Sequence, residues 1–162
     1  MNIKIAEASL RDKPIIKNML QLYIHDFSEF AGYELNEDGF YNYDYLDEYW
    51  TEKDRYPFII RFDDKIAGFV LLNRCSIMIK NALTIAEFFI LRKYRRQGIG
   101  KKTAFMIFDK FHSKWEVRQT KNNIVGQHFW ENVIRDYTSG NFQEYENADG
   151  WEGPVQIFQN IK

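Results

Sequence analysis

A cluster of cations and glycines between Arg92 and Lys102 is the segment of this sequence best suited to hold an anion. Six of its residues are Lys or Arg and none is acidic, although the net charge of the whole chain is only −1. Gly98 and Gly100 lie where an apolar, strand-like run gives way to a helix-like run. Free amides at a helix N-terminus attract anions, and glycine lets the backbone approach them closely. The pattern therefore predicts a diphosphate site.

Two common phosphate loops are excluded by residue position. A Walker loop would need glycine where Arg95 stands, and Ser or Thr where Lys102 stands. The dinucleotide fingerprint would need a glycine at Thr103. The alternative to an anion site is a basic turn that caps a helix.

A second chemical surface is acidic and aromatic. Ten acids and one base, Lys53, lie between Asp26 and Asp54. The same span is rich in aromatic residues, namely Tyr33, Phe40, Tyr41, Tyr43, Tyr45, Tyr49 and Trp50. Such a surface attracts cations by charge and by cation–π contact. The alternative is a solvated helix face with its tyrosines packed inward.

Length and composition restrict the class of protein. A chain of 162 residues suits one domain, 1–162. Its near-neutral charge argues against nucleic-acid binding, including an RNA-binding use of the basic loop. Cys75 is the single cysteine, and the three histidines are scattered, so we expect no disulfide and no metal. No apolar run is long enough to span a membrane, and we expect a cytoplasmic protein without a membrane partner.

The hydrophobic pattern predicts the element order β-α-α-β-β-β-α-β-α-β-β. The predicted strands are 2–7, 58–62, 66–72, 83–91, 115–119, 142–146 and 155–158, and the predicted helices are 15–30, 41–50, 99–112 and 123–137. The near-continuous apolar run 83–91 is typical of a central strand buried on both faces. The order indicates an α/β domain with a mixed sheet, antiparallel at first and with a parallel crossover in the middle.

Two motifs make the chain resemble the GCN5-related N-acetyltransferases, the GNAT family. The cofactor loop of that family, Arg/Gln-x-x-Gly-x-Gly/Ala, is matched by Arg95, Gly98 and Gly100. Its second motif, Asn-x-x-Ala-x-x-Phe/Leu-Tyr, is matched in spacing by Asn123, Gly126, Phe129 and Trp130. The element order also matches the family fold, a mostly antiparallel twisted sheet flanked by helices.

The resemblance implies acetyl-CoA as co-substrate and names the residues that would hold it. The diphosphate is expected at Arg95, Arg96, Gln97, Gly98, Ile99, Gly100, Lys101 and Lys102. The pantetheine arm is expected to lie like an added strand beside Phe89, Ile90 and Leu91, where the fourth and fifth strands splay apart. An amide near Ile90 or Leu91 would then stabilise the oxyanion of acyl transfer. Asn123 and Trp130 are further cofactor-binding candidates, Trp130 by packing against the arm.

The resemblance also implies an amine acceptor, whose proton must be removed. Deprotonating a lysine-like amine at pH 7 costs roughly 4.6 kcal/mol, so a general base is useful. Glu87 is the candidate, because it is the only acid in the run 83–91. Its alternative role is a glutamate that reaches solvent or pairs with Arg92. Many relatives use a tyrosine as acid where Trp130 stands here; Tyr137 is a substitute, or coenzyme A leaves as a thiolate.

The expected function is therefore acetyl transfer from acetyl-CoA to the primary amine of a small cationic acceptor. Candidate acceptors are a polyamine, an aminoglycoside-like compound, an amino-acid amine or a peptide N-terminus. The alternative is a non-catalytic acyl-CoA-binding module with the same fold, which the missing tyrosine favours. The tail segment Trp151 to Gln156 could line the acceptor site or form the edge of a homodimer.

Overall fold

The predicted strands form one seven-stranded sheet in a computed structural model that describes residues 2–162. The strands are β1 Ile3–Glu7, β2 Tyr56–Phe62, β3 Lys65–Asn73, β4 Leu83–Ile90, β5 Lys114–Arg118, β6 Gln143–Glu146 and β7 Pro154–Gln159. The helices are α1 Lys13–Ala31, α2 Glu48–Thr51, α3 Ile99–Lys110 and α4 Ile124–Thr138. Short 3-10 segments lie at Leu10–Asp12, Arg92–Tyr94 and Ala148–Gly150.

The sheet is mixed, as the sequence predicted. Its strand order is β1-β2-β3-β4-β5-β7-β6, and every neighbouring pair is antiparallel except β4 and β5. A parallel pair needs a crossover connection, and α3 supplies it between β4 and β5. The crossover brings the predicted anion loop to the C-terminal end of β4, in the middle of the sheet.

Helices cover both faces of the sheet and create two apolar cores. Helices α3 and α4 pack on one face, where the Phe108 ring lies 4.9 Å from that of Trp115 and 5.0 Å from that of Phe158. Helices α1 and α2 pack on the other, where Ile16 and Leu20 contact the cluster that includes Phe69 and Phe89. Each fully buried side chain of this size contributes about 1.5–3 kcal/mol. The two cores hold β4 between them.

The predicted helix 41–50 was wrong for most of its length. Only Glu48–Thr51 is helical, and Tyr45 takes a left-handed φ of 68°, which a helix cannot contain. The backbone of Tyr41 bonds instead to the side chain of Gln21 on α1, through contacts of 2.8 and 2.9 Å. This segment is therefore a loop fastened to α1, from which Tyr43 reaches Glu87 of the sheet.

The run 83–91 is the central strand that the sequence predicted, but it is not buried throughout. Leu83 and Thr84 are buried, whereas Ala86, Glu87 and Phe88 are half-buried. The partial exposure arises because β5 departs from β4 after its first two residues. The candidate site lies at this departure.

Candidate functional site

A bulge in β4 sets the geometry of the site. Leu72 of β3 lies opposite Ile85, yet the next residue, Leu71, lies opposite Glu87, so Ala86 is an extra residue in β4. A bulge of one residue reverses the face on which the following side chains lie. Ile85 accordingly packs in the α3–α4 core, while Glu87 lies on the α1–α2 side of the sheet. The bulge therefore turns the Glu87 carboxyl toward the cavity on that side of the sheet.

Beyond the bulge, one edge of β4 is open. Pairing of β4 with β5 consists of Leu83 with Trp115 and Thr84 with Glu116. On this side of β4, no strand among residues 2–162 pairs with it beyond Thr84. The open edge can receive an extended ligand as an added strand, which fits a pantetheine arm.

The direction of the β4 backbone corrects two predicted contacts. The Leu91 N–H donates to the Ala67 carbonyl of β3 at 2.8 Å. Alternate residues of an antiparallel strand direct their polar groups to alternate edges, so Leu91 and Phe89 face β3, not the opening. Phe88 and Ile90 face the opening, and Ile90 alone of the three predicted residues keeps this role. Sequence reasoning missed Phe88, because no residue type reveals which edge a backbone amide faces.

The predicted anion loop has the geometry of an anion site. Arg96 and Gly98 take left-handed φ values of 60° and 76°. The first bond within α3 runs from the Lys102 N–H to the Gly98 carbonyl at 3.1 Å, so the amides of Ile99, Gly100 and Lys101 precede it. A Cβ added to Gly98 would meet nothing within 4 Å, so the space beside the loop is open to a ligand.

Gly100 serves packing instead. A Cβ at this position would lie 3.2 Å from the Phe129 ring of α4. The missing side chain lets α3 and α4 approach each other closely at their N-terminal ends. The two glycines of the motif thus have different roles, one toward the ligand space and one toward the neighbouring helix.

Several cations of the loop are bound by carboxylates of the protein. Arg95 donates to the Ile90 carbonyl at 2.7 Å and to Asp26 at 2.6 Å, and Arg92 donates to the other Asp26 oxygen at 2.6 Å. Partial burial opposes ionisation of Asp26, but the hydrogen bonds from Arg95 and Arg92 outweigh it and lower the pKa of its carboxyl. Lys101 pairs with Asp136 at 2.5 Å. Arg95 therefore fastens the loop to β4 and α1, so phosphate binding rests mainly on backbone amides.

The other side chains of the loop vary in exposure. Arg96, Gln97 and Lys102 are exposed, and the Gln97 amide donates to the Lys93 carbonyl at 2.8 Å. The Ile99 side chain is fully buried, so only its backbone can meet a ligand.

Asn123 caps α4. Its side-chain oxygen accepts a hydrogen bond from the Gly126 N–H at 3.0 Å. A Cβ on Gly126 would lie 2.4 Å from the Asn123 side chain, so an alanine here would require that side chain to shift. The geometry accounts for Asn123 as a structural residue at the start of the helix.

Trp130 and Tyr137 both lie in the α3–α4 core. Trp130 is 7% exposed and contacts the Phe88 ring at 5.0 Å, so it supports the strand that borders the opening. The Tyr137 hydroxyl donates to Asp109 at 2.9 Å and accepts from Asn160 at 3.0 Å, near the C-terminal ends of α3 and α4. The cofactor loop lies at the other end of α3. Tyr137 and Glu87 lie on opposite faces of the sheet and are not brought together.

Glu87 faces a cavity of about 360 Å³ on the α1–α2 side. The cavity is lined by Tyr43, Tyr45, Tyr49, Arg55, Asn73, Cys75, Thr84, Ala86, Glu87 and Arg118. The Tyr43 hydroxyl donates to Glu87 at 3.2 Å. Burial raises the pKa of the Glu87 carboxyl to about 7, although hydrogen bonds from Tyr23 and Tyr43 oppose the rise. Glu87 does not pair with Arg92, which binds Asp26, so it has the acidity of a general base at neutral pH.

The cavity is aromatic as predicted, but its charged groups differ from the prediction. Tyr43, Tyr45 and Tyr49 come from the predicted aromatic span, and burial is the main cause that raises the pKa of Tyr49 to about 12. None of the ten acids between Asp26 and Asp54 is among the lining residues. Asp26, Asp47 and Asp54 bind cations outside the cavity, and Glu52 pairs with Arg55 of its wall. The expected acidic wall is therefore not the wall of this cavity, whose lining contains two arginines.

Glu116 is a second buried acid, and the sequence analysis missed it. Its side chain is 0% exposed, and its oxygens accept the backbone N–H groups of Ile77, Met78 and Ile79 at 2.8–3.0 Å. It also accepts from Arg118 at 3.3 Å. Glu116 thus holds the β3–β4 loop beside the cavity. The sequence does contain a signal for this buried acid, because Glu116 is a single acid between the apolar residues Trp115 and Val117. Glu87 was identified by the same kind of pattern.

Trp151 lies in this region as well. Its indole N–H donates to the Gln119 carbonyl at 2.9 Å, and the Arg118 guanidinium lies 5.0 Å from the centre of its ring. The tail segment therefore supports a residue of the cavity wall.

Comparison with known proteins identifies the family. The sequence model of the acetyltransferase (GNAT) family matches residues 16–133, well over half of the chain. The chain belongs to this family. A comparison with curated protein sequences found no match.

Solved structures share the fold at low sequence identity. An acetyltransferase from Thermus thermophilus is 10% identical, with 97% of this chain and 96% of that chain covered and a TM-score of 0.68. A GNAT acetyltransferase from Staphylococcus aureus is 17% identical, with coverage of 99% and 100% and a TM-score of 0.65. The spermidine N-acetyltransferase from Vibrio cholerae, in complex with CoA and spermine, is 13% identical, with coverage of 98% and 95% and a TM-score of 0.63.

Metal clusters and membrane-spanning helices are both absent from the part of the chain that the structure describes. Among residues 2–162, no group of three or more His, Cys, Asp or Glu side chains could hold a metal ion. Within the same residues, no helix has both the length and the apolar character that crossing a membrane requires.

Proposed function

We propose that this protein transfers the acetyl group of acetyl-CoA to the primary amine of a small acceptor, which arrives as a cationic ammonium. The observation that carries the proposal is the β4 bulge. It places an open strand edge for the cofactor arm next to a half-buried carboxyl whose pKa is about 7. The membership of the chain in the GNAT family supports the same reaction.

Different residues of the site bind different parts of the two substrates. The loop amides of Ile99, Gly100 and Lys101 hold the diphosphate at the N-terminus of α3. The edge of β4 at Phe88 and Ile90 holds the pantetheine arm through backbone hydrogen bonds. Acetyl-CoA supplies the acyl thioester that reacts. Tyrosine rings of the cavity contact the ammonium group before it loses its proton.

Glu87 and a backbone amide perform the chemistry. The Glu87 carboxylate takes a proton from the acceptor ammonium, directly or through water, and the neutral amine attacks the acetyl carbonyl. The Phe88 N–H, which faces the opening beside Glu87, donates to the carbonyl oxygen as negative charge develops there. The C–N bond forms, the C–S bond breaks, and the sulfur leaves as coenzyme A thiolate. The remaining amine proton passes to solvent.

No dedicated general acid is required in this proposal. Trp130 has only an N–H donor and lies in the core, and Tyr137 is bound to Asp109 at the far end of α3. A thiol with a pKa of roughly 8.5 is acidic enough to leave as a thiolate near neutral pH. With a single cysteine, the chain suits a reducing compartment, and we propose that it acts in the cytoplasm.

Release of free thiol from acetyl-CoA tests the proposal across a panel of primary amines. We expect acceptor-dependent release by the wild-type protein and a loss of roughly 10²–10⁴ in kcat for Glu87→Gln. Glu131→Gln, a change at a half-buried position of α4, is the matched control and should keep the wild-type rate. Coenzyme A binding without turnover on any amine would support the non-catalytic acyl-CoA-binding module instead.

A further inference from the structure

The acceptor cavity contains two arginines whose positions the acetyl transfer does not explain. Arg55 precedes β2 and Arg118 ends β5, and both line the cavity that Glu87 faces. Their side chains are 16% and 18% exposed, so both are largely withdrawn from bulk water. Each guanidinium group pairs with one carboxylate, and its remaining N–H donors suit a negatively charged group and not an ammonium group.

Each arginine is fixed by contacts with an aromatic ring and a carboxylate of the protein. The Arg55 guanidinium lies 5.5 Å from the centre of the Tyr49 ring, and its Nε donates to Glu52 at 2.8 Å. Contacts of this kind fix the plane of the guanidinium group and leave it preorganised.

Arg118 is held in the same way by other groups. Its terminal nitrogens donate to Glu116 at 3.3 Å and to the Cys75 carbonyl at 3.0 Å, and it stacks on Trp151. A guanidinium group has more N–H donors than these two bonds use, so donors remain for a ligand. Because Glu116 already accepts three backbone N–H groups, its charge is shared among several donors.

We infer that the acceptor carries a carboxylate that Arg55 and Arg118 bind while its amine faces Glu87. The inference rests on the proposed function and makes the substrate class a small amino acid. The cavity of about 360 Å³ suits a ligand of this size. Glu87 forms its hydrogen bonds with tyrosines and not with either arginine, so the acidic and basic groups of the cavity remain available to opposite ends of one ligand.

A series of amino acids and their carboxamides tests the inference. We would measure thiol release with glycine, β-alanine and γ-aminobutyrate, each against its own carboxamide, and with spermidine. We expect the best amino acid to exceed its carboxamide in kcat/KM by roughly 10- to 100-fold, the effect of a hydrogen-bonded charge. Equal or better turnover of the carboxamide or of spermidine would overturn the inference.

Arginine variants connect the preference to these residues. Arg118→Lys keeps the charge beside the buried Glu116 but loses the planar donor pair. Arg55→Gln removes a guanidinium group whose partner, Glu52, is exposed. Each should lower the ratio of amino acid to carboxamide turnover at least several-fold.

Comparison of this ratio between variant and wild type cancels the different amine pKa values of the two acceptors. Arg135→Gln, an exposed change on α4, should leave the ratio unchanged. Thermal melts separate loss of fold from loss of preference.

Binding measurements keep the inference distinct from the proposed function. If no acceptor releases thiol, the proposed function fails, and calorimetry with the same pairs in the presence of coenzyme A decides the inference. Tighter binding of the carboxylate member by wild type, lost in Arg118→Lys, would support it. Absence of any carboxylate preference in both assays would overturn it.

Discussion

Glu87 must be ionised to accept a proton, although its burial favours the neutral form. Two tyrosine hydroxyls offset part of the cost of burial, and the balance brings the pKa of the carboxyl to about 7. Most glutamates are stronger acids, with pKa values near 4.3, and would be weak bases toward an ammonium group. The elevated pKa therefore makes Glu87 a better proton acceptor at the cost of partial ionisation at neutral pH.

The activity should depend on pH through this residue. Since the ionised form of Glu87 is the base, kcat/KM should rise as pH increases through about 7 and then level off. Replacement by Gln should remove this rise along with most of the activity. Steady-state rates between pH 5.5 and 9 measure it. A flat wild-type profile over that interval would show that another group removes the proton.

The stability of the fold should depend on pH with the opposite sign. The folded pKa of Glu87 lies above its unfolded value, so stability falls as pH rises from about 4.5 to about 7 and stays low above that interval. A rise from 4.5 to about 7 corresponds to about 3 kcal/mol. Glu87→Gln, which cannot ionise, should raise Tm at pH 8 by roughly 5–10 °C and by much less at pH 4.5. Equal shifts at both pH values would contradict the assignment.

Residue types alone pointed to some residues of the cavity and missed others. A lone acid in an apolar run identified Glu87, because burying a carboxyl is costly enough to demand a reason. Asn123 and Trp130 were chosen by their place in a motif, and Tyr137 as a substitute for the missing tyrosine. In the structure, Asn123 caps α4 and the other two pack in the core. Spacing along a helix does not determine which neighbours a side chain meets.

Turning to the elements, Gly98 offers a direct test of the cofactor loop. Gly98 and Gly140 have φ values of 76° and 82°, and a Cβ added to either meets nothing within 4 Å. Alanine at either position should therefore cost a similar backbone strain of roughly 1–2 kcal/mol. Only Gly98→Ala places a methyl group in the ligand space at the start of α3. We expect it alone to weaken coenzyme A binding at least tenfold, as measured by calorimetry. Equal affinities in the two variants would refute an anion site at this loop.

Asn123 tests the start of α4. Loss of its cap in Asn123→Ala should cost about 1 kcal/mol of stability, and Asn123→Ser, which can still cap, should cost less. Neither change should alter coenzyme A affinity by more than about twofold, because the side-chain oxygen is occupied by the Gly126 N–H. Denaturant unfolding and calorimetry measure the two effects. A large loss of affinity without loss of stability would return Asn123 to the cofactor site.

Element types followed from the sequence wherever local and tertiary preferences agreed. Strands with strong apolar runs and helices with clear periodicity appear close to the predicted bounds. The helix predicted at 41–50 failed because Gln21 of α1 binds the backbone of Tyr41, a contact between distant parts of the chain. The β4 bulge also escaped prediction, since a bulge depends on the register with β3 and not on the residues of β4 alone.

At the scale of the whole molecule, the loop, the strand edge and the cavity belong to one connected unit. Asp26 of α1 binds Arg92 and Arg95, and Arg95 binds the carbonyl of Ile90, so α1 contacts both the predicted anion loop and the open edge of β4. The family motif predicted the loop, and composition predicted an aromatic cavity. The charges of the cavity could not be predicted, because Arg55, Glu87 and Arg118 come from three separate strands or their ends.

The short contact between β4 and β5 has a mechanical consequence. Two residue pairs and the bonds of Glu116 to the β3–β4 loop join strands β1 to β4 with strands β5 to β7, so we expect the sheet to bend most easily at Leu83 and Thr84. A ligand that lies along β4 and contacts both groups of strands would restrict this bending. Amide hydrogen exchange should then slow throughout β5 when coenzyme A binds, whereas a ligand held only by the loop would protect residues 95–102 alone. The sheet would therefore be most rigid with coenzyme A bound, and release of coenzyme A would let it bend again.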